Sequence, residues 1–363
     1  MSVISGLKKV LRVLDRAKAM RMGLFRKSDF RFHFNHIKQA QGLIKSMTAV
    51  VGSQVNPAVL KQCDEYAKDV FGSVIYSPWL QAYSILAGTF KEGWIPVNYY
   101  AKVVVPKLKG SYGEADNAPL ARRLFETNLM PDLAYSVNGL LCTASMEPLK
   151  PAELKEYLFQ TCDRVVYKKD ASKRGKGVSV FNRENFPDIL PLGNGTFQSY
   201  IVQHPFFNAF DSRSVSTIRI TTVVEDDLKV SCRAAFLRLP RSTDTHVTVE
   251  TAIKVAIQVE TGKLHETGYL PNWTPIACHP DSRRGFTGQI IPHFQKCVET
   301  CVSLHRKMPF PRAIGWDVIV NDREEIAIME WNGRLNGISF SEATCGPCFA
   351  DLGWHRLAQD DRV

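Results

Sequence analysis

No run of about 18 apolar residues occurs anywhere in this sequence, so it offers no candidate membrane-spanning helix. The first residues have neither an uninterrupted apolar centre nor a small-residue cleavage site, which argues against a secretory signal. There is no low-complexity tract and no internal repeat, and the scattered Gly and Pro set aside disordered and fibrous chains. Nine cysteines are an odd number, which fits no complete disulfide framework and points to reduced thiols. Cys345-Gly346-Pro347-Cys348 has redox spacing but lacks the Trp and the strand–helix setting of a thioredoxin site, so it reads as two loop thiols. His293, Cys297, Cys301 and His305 recur every four residues, yet helical drift spreads them over ~18 Å, too far for one zinc ion. One Cys pair facing the core is the better reading.

What is present is ordinary globular material. The 363 residues suffice for two or three domains, with 45% hydrophobic and 23% charged residues. The net charge of +10 is concentrated at the start, where residues 1–45 hold eleven Lys or Arg against Asp15 and Asp29. Ile4, Leu7, Leu11 and Leu14 recur at helical spacing beside Lys8, Lys9, Arg12 and Arg16. Two readings stand for this segment: docking on an anionic membrane surface, or a basic amphipathic helix packed on its own protein. A nucleic-acid arm ranks below both because no aromatic platform accompanies the charge, so no nucleic-acid partner is expected. A mitochondrial presequence is weakened by the two Asp. The expected location is cytoplasmic, peripheral at the inner face of a membrane if the first segment docks there.

Residues 1–110 read as mainly helical, and the aromatic group Phe71, Tyr76, Trp79, Tyr83, Phe90, Trp94, Tyr99 and Tyr100 reads as packed core. Lys107–Asn117 reads as a loop, Pro119–Asn128 as a short helix, Ala134–Cys142 as one strand and Pro151–Thr161 as a helix. Asp163–Lys169, Asp170–Gly177 and Val178–Phe181 parse as strand, basic loop, strand. Gly175 and Gly177 permit close backbone approach, and Lys173, Arg174 and Lys176 add positive charge. This loop is neither a Walker A motif nor a dinucleotide turn; a phosphate cover and a solvated basic hairpin both fit it. Lys168, at the end of the strand, is better placed than the loop lysines for a fixed phosphate contact. Thr196–Val202 is a further strand whose end suits a hinge with backbone groups able to read an adenine edge. Arg219, Arg233 and Arg238 sit within β-like runs, where arginines meet solvent, an acid or, in a cleft, a carboxylate or phosphate.

The strongest pattern is Ile314–Ser339. Gly315–Val320 and Ile326–Trp331 flank a polar turn and read as a β-hairpin. A register centred between Arg323 and Glu324 sets Asp317 opposite Glu330, with Asn332 further along the same face. Opposed like charges destabilise a bare sheet, and Mg²⁺ with phosphate oxygens would suit these donors. The competing reading is a solvated edge hairpin.

Taken in order, YKKDASKRGKGV (167–178), QSYIVQHP (198–205), SVSTIRITT (214–222), CHPDSRRGFTGQIIP (278–292) and IGWDVIVNDREEIAIMEWN (314–332) resemble an ATP-grasp protein, most closely the sugar-transfer-associated ATP-grasp family. The resemblance runs from about Gly93 to Gly337 and implies an α+β fold in which two subdomains grip ATP, preceded by a mainly helical N-terminal region. The divisions it suggests are 1–115 helical, 116–162 linker and first α+β part, 163–205 lid, 206–355 C-terminal subdomain and 356–363 tail. It implies ATP and Mg²⁺ as cofactors. Lys168 would contact the phosphates, with Ser172, Lys173, Gly175, Lys176 and Gly177 in the covering loop and Gln198, Ser199, Tyr200 and Ile201 at the adenine. Arg219 would face the reacting phosphate, Arg238 and Arg334 the substrate, and Asp317, Glu330 and Asn332 the metal; Lys168, Arg219 and Arg334 form the implied catalytic set. Two departures stand out: Lys169 replaces a common proline and Arg174 a common glycine. The extra lysine expected before the lid is not identifiable, and Arg122 or Arg123 is its candidate substitute. The implied activity is a carboxylate–amine ligase using small-molecule acid and amine substrates; the alternatives are an ATP-grasp kinase and a membrane-docked nucleotide-binding module without turnover.

Overall fold

A computed structural model describes residues 27–51, 56–114, 118–170, 177–187, 193–242 and 251–359. Most of the basic start, and Ser172, Lys173, Gly175 and Lys176 of the basic loop, lie outside the described residues.

Three helices open the described chain: α1 (Lys27–Val51), α2 (Pro57–Phe71) and α3 (Ser77–Ala87). Asn56 caps α2 by accepting from the Ala58 amide at 3.0 Å, Pro57 fits the first turn, and Gly72 ends the helix in the left-handed conformation. Trp79, Tyr83, Trp94, Tyr99 and Tyr100 are fully buried, so the aromatic group is core.

The chain then builds a five-stranded antiparallel sheet from β1 (Asp132–Val137), β2 (Leu140–Thr143), β3 (Arg164–Lys169), β4 (Val178–Asn182) and β5 (Gly195–Ser199), ordered β2-β1-β5-β3-β4. The helix α4 (Ala118–Leu124) precedes it, and α5 (Pro151–Leu158) buries Leu154 and Leu158 with Val165, Tyr167 and Phe197. The expected single strand over Ala134–Cys142 is instead a hairpin turning at Asn138 and Gly139, both with positive φ, as a two-residue Asn-Gly turn requires. This hairpin lies before residue 163 but hydrogen-bonds into the same sheet as the lid strands.

A seven-stranded antiparallel sheet follows: β6 (Thr217–Val224), β7 (Val230–Leu239), β8 (Ile253–Ile257), β9 (Leu264–Tyr269), β10 (Pro275–Ile276), β11 (Ala313–Val320) and β12 (Ile326–Asn332), ordered β10-β9-β8-β7-β6-β11-β12. One face packs on α6 (Phe294–Lys307), whose Cys297 and Cys301 are buried with Ile220, Leu237 and Trp316; these two thiols are the core pair. His305 Nε2 of the same helix donates to the Pro311 carbonyl (3.0 Å) and its Nδ1 is hydrogen-bonded to Thr222 Oγ1 (2.7 Å), a structural role rather than a metal one.

The opposite face meets the N-terminal helices through α7 (Ser339–Cys345), where Phe340 and Ala343 join Trp79, Phe236 and Ala256 in one cluster. Fully buried Glu342 ties the regions together. Its carboxylate accepts from the Ile95 amide (2.7 Å) and the Cys348 amide (2.8 Å), and its carbonyl accepts from Trp94 Nε1 (2.6 Å). The expected tail from 356 is docked as far as Gln359: Leu357 is buried and the Ala358 amide donates to Tyr99.

Candidate functional site

The site begins with a bulge. At the turn end of the hairpin, Val320 pairs with Ile326 and Val318 with Ile328, a register centred on Arg323 rather than one half-step later. Beyond the shift between Asp317 and Val318, Asp317 pairs with Glu330 and Gly315 with Asn332, leaving Met329 as the extra residue. An unbulged β12 would keep Ile326, Ile328 and Glu330 on one face. The bulge lets Ile328 and Trp331 both enter the core while Glu330 stays exposed across from Asp317.

Asp317 also pairs with Arg219 on its other side. Arg219 donates from Nε to Oδ1 (2.6 Å) and from Nη2 to Oδ2 (3.1 Å), and Arg238 Nη1 donates to the same Oδ2 (3.0 Å). Burial pushes the Asp317 pKa up, but the two arginines outweigh it and hold the carboxyl at about 2. The positive charge beside Asp317 is thus supplied by guanidinium groups, and both its oxygens are engaged.

Glu330 differs. Among the described residues its carboxylate has no hydrogen bond or ion pair. Desolvation by the surrounding protein, then the Asp317 charge, raise its pKa, opposed by Arg219, Lys168 and Arg238. Lys168 at the end of β3 brings the smaller sheet into this field: packing lowers its pKa, while Glu330, Asp132 and Asp317 support its charge. Lys168, Arg219, Arg238, Asp317 and Glu330 therefore share one electrostatic neighbourhood.

Asn332 Nδ2 donates to the Gly315 carbonyl at 3.3 Å, which leaves its Oδ1 to a ligand. An acid without a partner among the described residues, an amide oxygen beside it and a second acid opposite are hard donors that suit Mg²⁺. The fit is good at Glu330 and Asn332, whereas both Asp317 oxygens are already held by arginines.

The backbone around the site is held by side chains distant in sequence. Arg219 Nη1 donates to the Asn336 carbonyl (2.9 Å). Fully buried Asn336 in turn accepts at Oδ1 from Tyr100 Oη and from Lys109 Nζ (3.1 Å), and Lys109 Nζ also donates to the Arg334 carbonyl (2.9 Å). Lys109 is itself buried, and that burial drives its pKa well below the usual lysine range. It lies in the stretch expected to be a loop; helical turns at Val105–Leu108 and Gly110–Glu114 carry it inward. Gly315 is needed beneath this contact: a Cβ there would stand 2.8 Å from Asn336 Cβ and 3.0 Å from Arg219 Nη1.

The remaining expected residues fall out differently. Arg334 is exposed just past β12. Gln198 is buried and donates from Nε2 to Asp132 Oδ1 (2.7 Å), while its Oε1 has no partner among the described residues. The Ser199 amide donates to the Pro131 carbonyl (2.8 Å) and the Tyr200 amide to the Arg164 carbonyl (3.1 Å), so these two amides are already paired. Arg164 also stacks 3.7 Å over the Tyr200 ring. Ile201 is half-buried, and Gly177 accepts from the Lys169 amide (2.9 Å) at the base of the basic loop. Arg122 holds the Asp132 carbonyl (3.1 Å) and Asn128 (2.6 Å). Asp132 itself, missed in the sequence, is buried, accepts from Tyr135 Oη (2.8 Å) and has its pKa raised by burial.

Two antiparallel sheets, with a lysine of the smaller in the field of an acid pair and two arginines on the larger, are the arrangement of an ATP-grasp fold. Residues 193–350 match the family model described as sugar-transfer associated ATP-grasp. No curated protein matches the chain. Among solved structures it is similar to a biotin carboxylase from Campylobacter jejuni, at 13% identity and a TM-score of 0.41, over 66% of this chain and 46% of that one. It is also similar to the ATP-grasp ligase PsnB (13% identity, TM-score 0.39, 68% of this chain and 64% of that one). An N5-carboxyaminoimidazole ribonucleotide synthetase from Thermotoga maritima gives 12% identity and a TM-score of 0.35, over 67% of this chain and 52% of that one. The chain spans about half the length of the carboxylase and synthetase structures. Among the described residues no helix is long and apolar enough to cross a membrane.

Proposed function

We propose that this protein is an ATP-dependent carboxylate–amine ligase working through an acylphosphate, and that it amidates a sugar acid or related metabolite of surface-polysaccharide biosynthesis. The observation that carries the reading is the acid pair Asp317 and Glu330 set among Lys168, Arg219 and Arg238. Phosphoryl transfer depends on positioning and charge neutralisation more than on a protein nucleophile, and this set supplies both. Lys168 steadies the phosphates from the smaller sheet. Arg219, fixed by Asp317 and the Asn336 carbonyl, presents positive charge to the transferred group. Mg²⁺, held by Glu330 and Asn332 beside Asp317, would neutralise phosphate charge when bound.

The carboxylate oxygen of the acid attacks the γ-phosphorus and ADP leaves; the amine then attacks the acyl carbon and phosphate leaves. Hydroxylamine in place of the amine should convert the acylphosphate to a hydroxamate during turnover with the right acid. A phosphorylated acceptor without free phosphate would instead mark a kinase. We also propose that residues 1–45 dock the protein on an anionic membrane surface, on the strength of their charge and apolar spacing. Flotation with anionic vesicles, with and without residues 1–26, which precede α1, tests it: equal flotation contradicts it.

A further inference from the structure

On the larger sheet, Ala235, Leu237 and Leu239 of β7 and Ile253, Val255 and Ile257 of β8 point into the core beneath α6. Arg238 and Lys254 therefore share the opposite face, the one that carries Asp317 and Arg219. They stand directly across from each other in the β7–β8 register, and Lys254 stands across from Tyr269 of β9. Two cations paired in this way repel. Arg238 spends its charge on Asp317, which Arg219 already holds through two hydrogen bonds.

Lys254 has no hydrogen bond and no ion pair among the described residues. The charged groups in its field are Arg238 and Arg219, and packing together with these two cations pushes its pKa down to about 8. Its ammonium leans over the Phe340 ring at 5.7 Å, and the Arg238 guanidinium over Phe236 at 5.5 Å. Phe340 is locked edge-on between Phe236 (5.1 Å) and Tyr269 (5.6 Å). The result is a fixed aromatic floor with two half-buried cations above it and, among the described residues, too little acid to balance them.

We propose that Lys254 and Arg238 form a second anion subsite, so that the acid substrate carries a further negative group, a carboxylate or phosphate, beyond the carboxylate that reacts. This rests on the ligase reading of the neighbouring site. Strands repeat every ~4.8 Å, so β8 lies three spacings, about 14 Å, from β11. The two anionic groups of the substrate are therefore several bonds apart, and the nucleotide phosphates, drawn to Lys168 and Arg219, leave Lys254 to the acid. An anion between Lys254 and Arg238 relieves their repulsion and makes charge-assisted hydrogen bonds to both.

The test is calorimetric titration of the full chain loaded with Mg²⁺ and AMP-PNP, using sebacate, a diacid long enough to span the two positions, and its singly charged counterpart nonanoate as probes. Sebacate should bind about tenfold tighter than nonanoate to the wild type. Lys254→Met should shrink that ratio to about threefold or less, and Lys254→Arg should restore it, with AMP-PNP affinity the same in all three. A ratio that survives Lys254→Met, equal binding of the two probes by the wild type, or no binding of either would overturn the subsite. Failure of AMP-PNP to bind the wild type would count against the ligase reading instead, and the same ratio measured without nucleotide would still decide the role of Lys254.

Discussion

Arg219 on β6 and Asp317 on β11 lie directly opposite each other and are joined by two hydrogen bonds, Nε to Oδ1 at 2.6 Å and Nη2 to Oδ2 at 3.1 Å. Both side chains are buried, so this pair is structural as well as electrostatic. Its neighbour Glu330 has no such partner among the described residues and is the acid proposed to take the cation.

The two acids should therefore answer differently to loss of charge. Asp317→Asn leaves Arg219 and Arg238 without their carboxylate and should cost about 3 kcal/mol of stability, since stranding a buried charge is expensive. Glu330→Gln removes an acid that repels Asp317 and should leave the unfolding midpoint unchanged or higher, while ADP release falls by about a hundredfold or more. Urea unfolding beside a turnover assay separates the two. Equal destabilisation by both would contradict the division of roles.

Gly315→Ala should place its methyl against Asn336 and Arg219. Overpacking of this kind costs about 1–3 kcal/mol. Because the strained contact lies under Arg219, kcat should fall with it, and a crystal structure should show the guanidinium displaced.

Lys109 is a positioning residue, acting through Asn336 on Arg219. Lys109→Met fills the buried space without the donor. It should lower kcat about tenfold while the affinity for Mg²⁺·AMP-PNP holds, because the proposed nucleotide contacts run through Lys168 and Glu330 instead. An unchanged kcat in a stable variant would remove Lys109 from this role.

Much of this arrangement was readable along the chain and some was not. The alternation in Gly315–Trp331 gave the hairpin and the facing acids, because register within one hairpin is a local property. The Met329 bulge was hidden, since it changes which face a residue takes without changing composition. Arg219 opposite Asp317 joins strands about a hundred residues apart, and nothing local specifies such a pairing. Lys109 sits in a polar stretch that resembles a loop, and its burial comes from packing on Tyr100 and Asn336. Asp132 carried a usable signal, the Asn138-Gly139 turn that starts its hairpin.

Glu342 should shape the pH dependence of stability. Burial raises its pKa to about 8, above the value near 4.5 of an unfolded glutamate. The folded state therefore holds a proton that the unfolded state lacks between these values. Its contribution is full below pH 4.5 and is lost as pH rises through about 8. Lys254, lowered to about 8, acts in the opposite sense above that pH. Urea midpoints measured from pH 5 to about 8 should thus decline less steeply for Glu342→Gln than for the wild type. Parallel profiles would contradict the assignment.

The proposed site fixes where a nucleotide lies, and a crystal structure with Mg²⁺ and AMP-PNP measures that directly. The triphosphate should run between Lys168 and Arg219, with the cation on Glu330 and Asn332. A nucleotide seated elsewhere, with Lys168 and Glu330 untouched, would contradict it.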